Sequence, residues 1–461
     1  MTRTHTYLSA LALLAVGLGA SACVVPVELA EDTDMVADGS AGSDGAMDDD
    51  TMGNGASEGG ADGSTGDEPP ACPPGELGCD CIEDACGGEL VCAEGECAVL
   101  EGLCGNDQLD EGEDCDDGNL TDADGCNADC RESATVDLSL DLGGEAERSN
   151  AHAVAVDSTD AIVLSGYEQV DSVSTGWVRK LDPDGTERWL DPLPEDVAVR
   201  SLDTGPDDQI AAGGALTPPA AGFGNHWVRS YEPDGTIEQT WDPGGGNTES
   251  VAFTPDGMLL SAAYGRVYAI NVEPGWYWDV DYWLGGVAVD PAGGFVAVGG
   301  GKGEASQVIR FDDTKGPSTP AWVLEEPGVS ADGVAFDSEG NIIVVGGGNA
   351  GNQTSASWLQ KLAPDGTELW RLEPDSGATS GERAYAVAVD SNDRIVVAGD
   401  ADAGLSEDPW VAKYGPDGEL RWNLVFEEGI GHANDVAINS QDEILVATQV
   451  DDRAGLLRLT P

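Results

Sequence analysis

One unit recurs seven times along this chain, and that recurrence constrains the fold more than any other feature. Its second strand reads AIVLSG at Ile162, QIAAGG at Ile210, MLLSAA at Leu259, FVAVGG at Phe295, NIIVVGG at Ile342, RIVVAGD at Ile395 and EILVATQ at Ile444. These positions lie 48, 49, 36, 47, 53 and 49 residues apart, the short interval belonging to the third unit. The strand before it reads VAVD at Val154, VAFT at Val251, VAVD at Val287, VAFD at Val334, VAVD at Val387 and VAIN at Val436. The second unit is irregular there, with VRSLD from Val199 to Asp203. A third strand and turn follow as WVRKLDPDG at Trp177, WVRSYEPDG at Trp227, WLQKLAPDG at Trp358 and WVAKYGPDG at Trp410. Pro presets φ and Gly accepts a positive φ, so Pro-Asp-Gly marks a tight hairpin turn. A fourth strand carries Trp189, Trp370 or Trp422. Four short strands at a period of about 45 residues predict the blades of a β-propeller.

The last unit reaches Arg458-Leu459-Thr460-Pro461, which aligns with KLAP, and is one strand short. Ahead of the first unit, VDLSLDL from Val136 to Leu142 alternates apolar and polar residues with no partner of its own. Pairing the two completes a seventh blade and leaves no sheet edge exposed. The expected fold is therefore all-β, a seven-bladed β-propeller over 134–461 closed by an N-terminal strand. The repeats resemble the SBBP and NHL-like propellers of exported bacterial proteins.

Residues 1–22 read as a signal peptide, with Arg3 followed by an apolar run from Tyr7 to Ala20 that is too short to span a bilayer comfortably. Ala20-Ser21-Ala22-Cys23 resembles the bacterial lipobox, although most lipoboxes carry Leu where Ala20 stands. The resemblance implies cleavage before Cys23 and acylation of its thiol, and Val24 rather than Asp after it favours the outer membrane. Acyl chains contribute roughly 0.8 kcal/mol per buried methylene, so a multiply acylated terminus is a stable anchor. The alternative is plain secretion with cleavage near Ala22. Residues 23–70 hold no Lys or Arg and many Asp, Gly and Ser, a composition expected to form an extended tether.

The remaining ten cysteines form two clusters, and an even count in an exported chain predicts disulfides. A module over 71–99 holds Cys72, Cys79, Cys81, Cys86, Cys92 and Cys97, whose pairing the spacing leaves open. A second, over 100–133, holds Cys104, Cys115, Cys126 and Cys130. Its CGNDQLDEGEDCDDGNLTDADGCNADC resembles the myxobacterial cysteine-rich repeat, departing from the pattern at Asp107, where Gly is usual. That resemblance implies an exported, surface-associated protein. Asp116, Asp117, Asn119, Asp122 and Asp124 place oxygen side chains within nine residues, as a calcium ion would require. The competing reading is a set of Asp- and Asn-capped turns.

Net charge is −67, from 20 Lys and Arg against 87 Asp and Glu. So acidic a surface argues against nucleic acid, whose phosphates need basic partners, and leaves calcium and cationic partners open. Recognisable nucleophile, phosphate-loop and zinc motifs are absent. His152 and His432 occupy similar places in the first and seventh units, which would adjoin at the closure, and are candidate channel-mouth ligands. Asp157, Asp290, Asp337 and Asp390 end first strands and read as turn caps rather than metal ligands. Trp276, Tyr277, Trp278, Tyr282 and Trp283 cluster around the short third unit as a candidate binding face, or as filler between blades.

The expected function is that of a non-catalytic cell-surface lipoprotein. The lipid bilayer would hold acylated Cys23, and the propeller would bind an envelope or extracellular protein or glycan. The alternatives are a propeller enzyme, such as a calcium-dependent lactonase, hydrolase or lyase with a metal in its channel, and a structural envelope component.

Overall fold

The computed structural model describes residues 132–460 apart from short loops, a hairpin within 90–99, and Cys115, Asp116, Cys126 and Cys130. Cys23, the tether, most of both cysteine modules, and Asp117, Asn119, Asp122 and Asp124 lie outside the described residues. In the hairpin, Leu90–Ala93 pairs antiparallel with Glu96–Val99 and places Cys92 opposite Cys97. Cys115 is disulfide-bonded to Cys126, and Cys130 is disulfide-bonded as well.

Seven antiparallel four-stranded sheets form the blades of a propeller. Blade 1 comprises Arg148–Val156, Ile162–Val170, Val173–Leu181 and Glu187–Pro192. The innermost strands of blades 2 to 6 are Val197–Thr204, Thr248–Phe253, Leu284–Val289, Gly333–Phe336 and Glu382–Val389. Blade 7 runs Gly431–Ile438, Ile444–Val450 and Arg453–Leu459, and its fourth strand is Val136–Asp141 from the opposite end of the domain. The closure expected from the alternation of that segment is therefore the one found. Just before it, buried Glu132 meets Arg394 of blade 6 at 3.0 Å, which fastens the end of the cysteine-rich segment to the propeller.

Second strands have neighbours on both faces, which is why they read as continuous apolar runs instead of alternating. Their recurrent glycine has a steric cause. A Cβ on Gly346 would stand 2.0 Å from the Ser330 carbonyl, and one on Gly399 would stand 1.9 Å from that of Arg383.

Polar side chains fasten several blades internally, and some of them to the next blade. Asp157 accepts from the Thr159 and Ala161 amides through Oδ1, while Oδ2 meets the Lys180 ammonium at 2.6 Å. Asp290 with Arg310, Asp337 with Lys361 and Asp390 with Lys413 repeat the pair inside blades 4, 5 and 6. The first-strand aspartates are thus turn caps, as expected, and also counterions. Lys180 and Lys361 donate onward to the Pro233 and Pro416 carbonyls in the Pro-Asp-Gly turn of the following blade. Trp189 and Trp370 donate to those same carbonyls, and their rings press on Gly235 and Gly418 of those turns. Arg458 repeats the contact across the closure, donating to Pro183 of blade 1 at 2.8 Å.

Burial raises the Asp337 carboxyl, but Lys361, Asn341 and the amide bonds outweigh it and hold it below the usual carboxylate range. The pair's contribution is therefore present above about pH 4 and is lost as pH falls through the lowered value. Lys361→Met would leave that carboxylate buried and uncompensated, and is expected to cost about 3–5 kcal/mol in urea unfolding at pH 7. Asp337→Asn/Lys361→Met, which keeps the turn cap and removes both charges, is expected to recover most of the loss.

Candidate functional site

All seven innermost strands wall a central channel enclosing a cavity of about 400 Å³. Near its start, each of these strands carries a β-bulge. The register shifts lie between Ala151 and Ala153, Val199 and Ser201, Thr248 and Ser250, Leu284 and Gly286, Ala384 and Ala386, and Ala433 and Asp435. In blade 5 the amide of Asp332 bonds to Val345, the residue that also faces Gly333, giving the same excess. One residue in each blade is thereby left outside the ladder and lines the channel: His152, Arg200, Glu249, Gly285, Asp332, Tyr385 and Asn434. A bulge re-aims a side chain in this way. The close approach of the second-strand glycine belongs to the same distortion.

This ring carries both signs of charge together with neutral donors. Arg200 and Glu249 pair across adjacent blades at 3.1 Å. Asp332 accepts from Ser330 at 3.0 Å and faces Arg383 at 3.4 Å, yet burial outweighs both and its carboxyl is raised. Tyr385 donates to Asp400, whose same oxygen lies 2.9 Å from Nδ1 of His432. Asn434 donates to Asn150 and to the Ala151 carbonyl, both at 2.8 Å. Burial, and secondarily Arg200, pull His152 down to about 4, so it is neutral at pH 7. On the same innermost strands, burial pushes Asp203 and Asp435 up to about 7.

The two channel-mouth histidines are not equivalent. His152 sits at the bulge of blade 1, whereas His432 precedes the bulge residue of blade 7 by two positions and lies at the rim against Asp400. His226 is fully buried on a third strand, its Nε2 at 2.8 Å from Ser261 Oγ, and burial lowers it to about 4. That Ser–His pair has no solvent access. Among the described residues, no group of three or more His, Cys, Asp or Glu side chains is placed to hold a metal ion.

The aromatic cluster divides. Trp276 stacks at 6.1 Å on Phe295, and Trp278 meets Phe311 edge-on at 5.0 Å, so both pack between blades 3 and 4. Tyr277 points outward, 56% exposed, beneath the Arg266 guanidinium. Trp283 is half-buried ahead of the innermost strand of blade 4, and Tyr282 lies outside the described residues.

Of the bulge ring only His152 was singled out in the sequence, although a signal for the other six was there. Within an otherwise repeated x-x-V-A-V-D, the first of these positions reads His, Arg, Glu, Gly, Asp, Tyr and Asn from blade 1 to blade 7.

Fold and channel together define a seven-bladed β-propeller with a polar, non-repeating mouth. The chain is similar to a catalytically inactive variant of virginiamycin B lyase from Staphylococcus aureus with quinupristin, at 11% identity, covering 70% of this chain and 99% of that one with a TM-score of 0.50. It is also similar to the WD40 β-propeller domain of Doa1, at 14% identity, covering 71% of this chain and 97% of that one with a TM-score of 0.47. At these identities the likeness is one of fold. No protein-family profile matches the chain, and no curated protein sequence does either.

The raised Asp203 carboxyl gives a test of the channel's electrostatics. It is protonated in the fold and ionised in the unfolded chain between about pH 4 and pH 7, so stability falls as pH rises through that window. Asp203→Asn keeps an acceptor for the Phe253 amide and removes the titration. It is expected to gain about 1–3 kcal/mol at pH 8 and nothing at pH 4, measured by urea unfolding at both.

Proposed function

We propose that this chain is a non-catalytic, lipid-anchored surface protein whose propeller binds an envelope or extracellular protein or glycan at the channel mouth. One observation carries the reading. The blades share one core pattern, and blades 1, 2, 5 and 6 share the Pro-Asp-Gly turn, yet the seven bulge positions that face the channel repeat nothing. Packing would favour the same residue in each blade, whereas recognition of a particular ligand needs different groups around it. Arg200, Glu249, Asp332, Tyr385 and Asn434 supply donors and acceptors of both signs, suited to a polar ligand such as a sugar or a peptide segment. Support for the anchor comes from the lipobox-like Ala20-Ser21-Ala22-Cys23 and the acidic spacer behind it.

Purified propeller probed on a glycan array and against envelope extract tests the binding reading. Arg200→Ala and Asn434→Ala are expected to lower retention of the captured ligand at least tenfold while leaving thermal stability within a few degrees. Retention unchanged in both variants would place recognition elsewhere. Metabolic labelling with a clickable fatty acid tests the anchor: wild type is expected to incorporate label and Cys23→Ala to lose it.

A further inference from the structure

The seam between blades 2 and 3 lacks the lysine fastening that joins blade 1 to blade 2 and blade 5 to blade 6. Where blade 1 has Asp157, Lys180 and Trp189, blade 2 has Gly205, Ser230 and Gln239 at the corresponding register positions. The ring of Phe253 fills the space beside Gly205 where an aspartate would stand. The short third blade has no Pro-Asp-Gly turn between its third and fourth strands for such a lysine to reach; its Pro255-Asp256-Gly257 joins the first two strands instead, and Asn271 donates to the Gly257 carbonyl at 2.7 Å. What remains is an open cleft of about 340 Å³.

Its lining suits one kind of ligand. Trp241, Phe253 and Leu259 give apolar contact, Glu238, Asp256 and Asp207 give carboxylates, and no Lys or Arg lines it. Glu238 is already turned inward, accepting from Ser230 at 3.0 Å. Within the same molecule, the corresponding place at the seams after blades 1 and 5 is taken by a lysine ammonium held by a carboxylate and a turn carbonyl. We propose that the cleft between blades 2 and 3 binds the alkylammonium group of a ligand, above all a lysine side chain of a partner polypeptide. Its methylenes would lie on Trp241 and Phe253, and its charge would meet Glu238. Cation–π attraction to the indole adds to the ion pair. This site is separate from the channel mouth, and the protein's strong negative charge would steer a basic partner toward it.

Calorimetry with Nα-acetyl-lysine amide, a tri-lysine peptide and putrescine tests this on the described domain in its full-length protein. Saturable binding is expected for wild type, with the peptide bound more tightly than putrescine. Ser230→Lys, which supplies the missing ammonium from within, is expected to weaken binding at least tenfold. Glu238→Gln should weaken it at least threefold, which keeps the test decisive if the lysine variant folds poorly. Asp184→Asn, which removes one charge from an exposed turn of blade 1, should leave binding unchanged. Absence of saturable binding, or equal loss in Asp184→Asn and Glu238→Gln, would overturn the proposal, because diffuse attraction to an acidic surface would then suffice. Channel variants such as Arg200→Ala should not affect amine binding.

Discussion

A lysine ammonium shared between a carboxylate of its own blade and a turn carbonyl of the next fastens the ring after blades 1 and 5. Lys361 neutralises Asp337 within its own blade and donates to Pro416 of the next, where the Trp370 indole also donates. A blade's turn cap, its internal charge balance and its grip on its neighbour therefore meet at one nitrogen. Removing any one member exposes the others to burial without compensation, which is the costly case for buried charge. The fastening survives closure because Arg458 reaches Pro183 from a blade whose fourth strand comes from the far end of the domain. On the same rim, serine–aspartate contacts also run from blade to blade, Ser391 to Asp442 and then Ser440 to Asp160 across the closure.

Much of this was legible in the sequence because repetition multiplies weak signals. A single VAVD or PDG says little, but seven units at near-constant spacing, with VDLSLDL left unpaired, specify both the blade and the closure. The capping role of Asp157, Asp337 and Asp390 was legible too, because a recurring Asp before a turn has a local explanation. Their lysine partners were less so, since the ion pair joins the first strand to the third across about two dozen residues. Trp276 and Trp278 stood out as aromatics beside a shortened blade, yet that same shortening leaves a seam that needs bulky side chains to fill it.

The channel ring was hidden for a different reason. A bulge adds one residue without changing the hydrophobic pattern on either side, so periodicity alone passes over it. Two indirect marks did exist: the second-strand glycine that clears the bulge carbonyl, and a position of free variation inside a repeated motif. Both become meaningful only once the strands are paired. The irregular second unit likewise gains sense from structure. Its Gly205, Ser230 and Gln239 stand where blade 1 has the Asp157, Lys180 and Trp189 of the seam fastening, and the cleft beside blade 3 is the consequence.

Recognition at the bulge ring is the central claim, and site-specific photo-cross-linking in cells reaches it most directly. A photoreactive residue at Asn434, on the channel wall, is compared with one at Leu369, which is 50% exposed on the outer edge of blade 5. The account expects a discrete ligand adduct from position 434 and none from 369. Adducts from 369 alone, or from neither position in cells that retain the protein at their surface, would contradict it.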